Sequence, residues 1–149
     1  MEIITNNNLE TQKIGMLLGQ YAFLGMVIAL KGEVGAGKTE LAKGFAQGIN
    51  CEEATSPTFS IMNVYENGRL PVYHFDFYRA GGDIDEFEEY IFGEGAALIE
   101  WSENIDLPNE VLTVEIIKID ENKRKLIFNA GNKLYEDIIG RIENEYTCS

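Results

Sequence analysis

At 149 residues the chain fits one domain, 1–149, whose core buries roughly two thirds of the unfolded surface. Apolar residues make up 45% and charged residues 25%, an ordinary globular balance, and the longest apolar stretch, Phe23 to Leu30, is far too short to span a bilayer. With 12 basic residues scattered among 25 acidic ones and a net charge of −13, the composition argues against autonomous binding to nucleic-acid phosphates, so any RNA connection has to run through a partner.

The opening "MEIITNNN" lacks the positive region and apolar core of a secretory signal, and the expected location is the cytosol. Its last residues can cap a helix from Leu9 to Tyr21, with Ile14, Leu17, Leu18 and Tyr21 at helical spacing. Val27 to Leu30 is a continuous apolar run of strand length, as in a strand covered on both faces. A glycine-rich loop then leads into a helix from Lys38 to Ile49 with Leu41, Ala42, Phe45 and Ile49 on one side. Gly44 costs that helix roughly 1 kcal/mol, which predicts close packing at that point.

Two hairpins follow. Phe59 to Tyr65 and Leu70 to Tyr78 flank "ENGR", whose Asn67-Gly68 pair favours the positive φ angles of a tight turn. Leu112 to Ile119 and Lys125 to Phe128 flank "DENKR" in the same way. Between them the pattern predicts an acidic helix from Ile84 to Phe92 and a buried strand from Ala96 to Ile99. A last helix runs from Lys133 to about Tyr146, with Leu134, Ile138, Ile139 and Ile142 on its apolar face. The fold class expected is α/β, with a mixed rather than purely parallel sheet flanked by helices.

The chemistry is concentrated in "GEVGAGKT", Gly32 to Thr39, which matches the Walker A pattern. Its glycines let backbone N–H groups turn toward phosphate oxygens, and the following helix presents its positive end there. Lys38 supplies a point charge for the β and γ phosphates, and Thr39 a hydroxyl for magnesium. A second acidic group is needed, normally at the end of a neighbouring strand. Asp76 ends "VYHFD" and Glu100 ends "AALIE", and spacing alone does not rank them.

Other residues carry two readings. "TSPTF", Thr55 to Phe59, offers hydroxyls to a γ phosphate in the manner of a switch segment, while Pro57 also simply ends one element and starts another. His74 alternates with apolar neighbours, which favours a packed or capped side chain over a base. Trp101 is either a core anchor or an exposed contact point. Cys51, Cys148 and the single His74 are one short of a tetrahedral zinc set, so the cysteines read as reduced thiols. GTP specificity is disfavoured because "NKRK" and "NKLY" lack the aspartate of a guanine-reading element. A small-molecule kinase is poorly supplied, with only Arg69, Arg79, Arg124 and Arg141 for a lid.

"GEVGAGKT", "TSPTF", "VYHFDFYR" and "LIEW", in that order, resemble the TsaE (YjeE) family of small ATPases of bacterial threonylcarbamoyladenosine synthesis on tRNA. The similarity runs from about residue 25 to 108. It implies a compact P-loop NTPase-like fold, ATP with magnesium, and weak hydrolysis that depends on the partners TsaD, the transferase, and TsaB. Under it Val34, Gly35, Ala36, Gly37, Lys38 and Thr39 form the nucleotide loop. Thr39 and Glu100 fall on the magnesium side, and Asp76 on the acid required for hydrolysis. Trp101 matches the family's tryptophan and Thr58 the threonine of its switch-like loop. By position, Asn8 and Arg124 correspond to further nucleotide contacts. "AGGDIDEFEEY", after "HFDFYR", is richer in acid and glycine than the family pattern.

Overall fold

The structure, a computed structural model, describes residues 1–53, 62–77, 87–102 and 107–147. Their elements are β1 (Glu2–Thr5), α1 (Asn8–Gln20), β2 (Val27–Lys31), α2 (Lys38–Gly48), β3 (Glu52–Glu53), β4 (Met62–Glu66), β5 (Val72–Asp76), α3 (Glu88–Phe92), β6 (Ala96–Glu100), β7 (Leu112–Lys118), β8 (Arg124–Ala130) and α4 (Lys133–Thr147). The described strands form one eight-stranded sheet in the order β1-β8-β7-β2-β6-β5-β4-β3. Its centre is parallel, with β2 between β6 and β7 and β5 beside β6. Both predicted hairpins, β4 with β5 and β7 with β8, are antiparallel. The sheet is therefore mixed, as the sequence implied.

The apolar run of β2 is covered on both faces because alternate side chains enter different cores. Ile28 and Leu30 join α1, α2 and α4 on one side, whereas Val27 and Ala29 join Phe75, Ile99 and Ile91 of α3 on the other. The first layer starts cleanly. The Asn7 side chain accepts the Glu10 N–H at 2.9 Å, capping α1, and Ile14, Leu17 and Leu18 face inward. Leu41, Ala42, Phe45 and Ile49 are all buried, as predicted. Gly44 does mark close packing: a Cβ placed there would lie 2.0 Å from the Gln12 carbonyl oxygen of α1. Backbone rests on backbone at that point.

Several expectations need correction. β1 was not foreseen, because a four-residue strand has little pattern of its own and its partner β8 lies at the far end of the chain. Of the Asn67-Gly68 pair only Asn67 takes positive φ, at 69°. Pairing closes at Tyr65 with Val72, so the connection is wider than a two-residue turn. Gly68 serves a close approach instead, its Cβ position lying 2.4 Å from the Ile49 carbonyl oxygen. In α4, Leu134 is half exposed and Tyr135 is buried in its place, its hydroxyl accepting the Val27 N–H at 3.0 Å. The buried face thus runs through 135, 138, 139 and 142. Residues 54–61, 78–86, 103–106 and 148–149 lie outside the described set. Those stretches hold the whole "TSPTF" loop with Thr58, Tyr78, Arg79, the start of the acidic helix, and Cys148.

Candidate functional site

Three parallel strands end at the same edge of the sheet, and register fixes what stands there. Leu30 of β2 is level with Glu100 of β6, and Glu100 is level with Asp76 of β5. Ligand crevices in open α/β sheets form at such carboxyl ends. Beyond β2 the chain passes through the glycine loop into α2. Gly35 and Gly37 hold φ angles of 84° and 116° there, a region that costs a side chain dearly and glycine little. Gly37 caps α2 with no side-chain hydrogen bond. The N–H groups of the first turn, which have no partner inside a helix, therefore remain to meet an anion.

A cleft of about 400 Å³ opens at this edge, lined by Asn8, Val34, Gly35, Gly37, Lys38, Thr39, Glu40, Asp76, Glu100, Trp101 and Arg124. Lys38 is buried against it. Its Nζ donates to the Gly32 carbonyl at 2.6 Å, lies 3.6 Å from Glu100 Oε1 and sits 4.4 Å from the Trp101 ring centre. The indole reaches that position because Trp101 adopts φ 60°, a left-handed conformation that costs a bulky residue of order 1–3 kcal/mol. Glu100 is also buried. Burial pushes its carboxyl up, but the hydrogen bond from His74, with Lys38 beside it, outweighs that and holds it below the usual carboxylate range.

Arg124 stands at the start of β8 and is buried. Its Nε donates to the Ala36 carbonyl at 2.7 Å, Nη1 to those of Asp120 and Lys123 at 2.7 and 3.0 Å, and Nη2 to that of Gly35 at 3.4 Å. The guanidinium braces the loop from behind. Ala36 is buried and is not among the residues lining the cleft, its carbonyl taking the Arg124 hydrogen bond, whereas Val34 is 83% exposed at the rim. Asn8, one turn ahead of α1's apolar face, reaches the same cleft.

The structure thus brings together ten of the residues singled out by sequence: Asn8, Val34, Gly35, Gly37, Lys38, Thr39, Asp76, Glu100, Trp101 and Arg124. Two neighbours went unnamed as site residues. Glu40 lines the cleft and pairs with Gln12 and Lys43. His74, expected to be packed or capped, is packed, with its Nε2 2.6 Å from Glu100 Oε2. The signal was present, since residues two apart on a strand share a face and His74 stands two before Asp76. Oxygen donors from Thr39 and Glu100 suit magnesium, a hard ion that takes one or two carboxylates and completes its shell with phosphate and water. Among the described residues no cluster of three or more His, Cys, Asp or Glu that could hold a metal ion is present. Among them, too, no helix is long and apolar enough to cross a membrane.

A Walker A loop between a parallel strand and a helix, with acids at the ends of the adjoining parallel strands, defines an α/β protein of the P-loop type. A sequence model of the family described as "Threonylcarbamoyl adenosine biosynthesis protein TsaE" matches residues 5–126. The chain is 39% identical to the tRNA threonylcarbamoyladenosine biosynthesis protein TsaE of Bacillus subtilis, over 89% of this chain and 87% of that protein. It is 35% identical to the protein of that name from Treponema pallidum, over 85% and 98%. The crystal structure of Bacillus subtilis YdiB matches with a TM-score of 0.81 at 35% identity, covering 97% of this chain and 95% of the other. The chain belongs to the TsaE family.

Proposed function

We propose that this chain is a magnesium-dependent ATPase that supports threonylcarbamoyladenosine modification of tRNA in the cytosol, acting with TsaD and TsaB rather than transferring the group itself. The observation that carries the reading is the convergence of Lys38, Thr39, Asp76 and Glu100 on one cleft at the carboxyl edge of the sheet. The adjacent loop and helix start present N–H groups to a polyphosphate. Lys38 exchanges its resting contacts with Gly32 and Glu100 for the β and γ phosphates. Magnesium, when bound, neutralises phosphate oxygens, with the Thr39 hydroxyl and Glu100 carboxylate as its protein ligands. Asp76 accepts a hydrogen bond from a water and orients it in line with the γ phosphorus. The new P–O bond forms as the bond to the bridging β–γ oxygen breaks, releasing ADP and inorganic phosphate. Catalysis here is positioning and charge stabilisation.

Unaided turnover is slow in this reading. Among the described residues Arg124 is the arginine that lines the cleft, and loop carbonyls hold its guanidinium. The net charge of −13 likewise supports leaving tRNA contact to the partners. A second reading, a nucleotide-gated binding module whose hydrolysis is incidental, draws on the same observation. The test is phosphate release from ATP by the chain alone and with TsaB and TsaD. Release that rises on adding both, in step with ADP, supports the ATPase; an equally fast reaction by the chain alone, or phosphate appearing on a small-molecule acceptor, overturns it.

A further inference from the structure

His74 lies on β5, level with Asn63 of β4 and Leu98 of β6, and only 8% of its surface is exposed. Its ring stacks on Tyr65 at 6.5 Å with a 26° tilt, which fixes the imidazole plane. Nε2 lies 2.6 Å from Glu100 Oε2. Among the described residues Nδ1 is buried with no hydrogen-bond partner. A neutral ring protonated at Nδ1 would leave a buried donor unsatisfied and set the Nε2 lone pair against a carboxylate, each unfavourable. The proton therefore sits on Nε2 and is donated to Glu100. One carboxylate oxygen is occupied by His74 while the other, Oε1, is turned to the side where Lys38 stands.

We propose that His74 is a positioning residue for the divalent cation. By holding Glu100 Oε2 it aims Oε1 into the cleft and sets the affinity of magnesium–nucleotide, without itself touching either. The inference rests on the nucleotide reading of the cleft and adds to it a residue on the strand that carries Asp76. Hydrogen-bonding partners of metal-ligating groups matter in general, their loss costing about 10–100-fold in metal affinity. The position suits that role, since Glu100 is otherwise a buried carboxylate with one rotatable end, and the stacked ring supplies a donor that cannot swing away.

The test uses the isolated chain and a fluorescent ADP analogue, with affinity titrated in magnesium and in chelator, so that no turnover is needed. The magnesium-induced gain in affinity should fall by about tenfold or more in His74→Phe, with affinity in chelator unchanged. His74→Gln, whose amide nitrogen replaces Nε2, should retain the gain to within about threefold. If His74→Phe does not fold, His74→Asn, too short to reach Glu100, takes its place. A full magnesium effect in the variant lacking the donor overturns the positioning role alone. Equal losses in magnesium and in chelator, not rescued by glutamine, overturn it in favour of plain packing. A wild-type chain that shows no magnesium-dependent binding overturns the reading of the cleft and, with it, the role of His74.

Discussion

Replacing Gly44 by alanine places a methyl group where α1 and α2 touch through their backbones. The added Cβ would lie 2.0 Å from the Gln12 carbonyl oxygen and 2.7 Å from its carbon. An ordinary contact is 3.4 Å or more, so the two helices must part locally by roughly an ångström in a close-packed interior. A flexible side chain would swing aside, but a carbonyl within a helix has no such freedom. Overpacking of this kind costs about 1–3 kcal/mol, and the rigid neighbour puts Gly44 at the upper end. Alanine's better helix propensity returns about 1 kcal/mol. The net loss is about 2 kcal/mol, a fall in Tm of about 4–8 °C for a chain of this size. Gly140 in α4 supplies the control, because a Cβ there meets nothing within 4 Å. Gly140→Ala should stabilise by up to about 1 kcal/mol through propensity alone. Thermal and urea unfolding followed by circular dichroism measures both. The consequence extends to the cleft, since α2 begins with Lys38 and Thr39 and α1 with Asn8, and nucleotide affinity should drop with stability. A Gly44→Ala chain as stable as Gly140→Ala would refute the backbone-on-backbone packing.

Two further predictions concern the electrostatics of the site. Arg124→Met removes a charged donor from the carbonyls of Ala36, Asp120 and Lys123, interactions of about 1.5–3 kcal/mol. It should lower both Tm and nucleotide affinity, the latter about tenfold; a loss of affinity with Tm intact would mean that the guanidinium contacts nucleotide directly instead of bracing the loop. The Glu100 carboxyl titrates below its ordinary value in the folded chain because His74 and Lys38 outweigh its burial. Its contribution to stability is therefore complete above the unfolded pKa and disappears as pH falls through the lower folded one. Glu100→Gln should flatten the acid limb of the stability curve measured by urea unfolding, and an unchanged acid limb would contradict the ionised, hydrogen-bonded carboxylate.

The legible parts of the molecule were those written in local pattern. β2 was plain from four consecutive apolar residues, α2 from its apolar spacing, and the cradle from a motif whose glycines have backbone reasons. Asp76 and Glu100 were each visible as the acid ending an apolar run, yet nothing local says that β5 and β6 are neighbours. Their meeting is a product of strand order, with Asp76 level with Glu100 only once β6 lies between β2 and β5. The same limit hid β1, four residues whose partners stand some 120 positions away along the chain. Leu134 and Tyr135 compete for one face of α4, and periodicity admits both. The buried place goes to the tyrosine because its hydroxyl satisfies the Val27 N–H at the start of β2, a contact no helical wheel contains. His74 reads as packed or capped because a lone histidine among apolar neighbours usually is; the carboxylate that takes its hydrogen bond stands 26 residues further on, which local pattern does not supply.

In the proposed ATPase reading, Asp76 drives turnover that the tRNA modification requires, over and above nucleotide binding. Asp76→Ala separates the two, because the residue ends β5 at the exposed mouth of the cleft and leaves Lys38, Thr39 and Glu100 in place. The decisive measurement is threonylcarbamoyladenosine formed on tRNA over many cycles by TsaB and TsaD with either chain, ATP binding being checked in parallel. Asp76→Ala should bind ATP within about threefold of wild type, lose hydrolysis by about a hundredfold or more, and fail to sustain modification. Full modification by a variant that binds ATP without hydrolysing it would overturn the ATPase reading and leave the nucleotide-gated binding module standing.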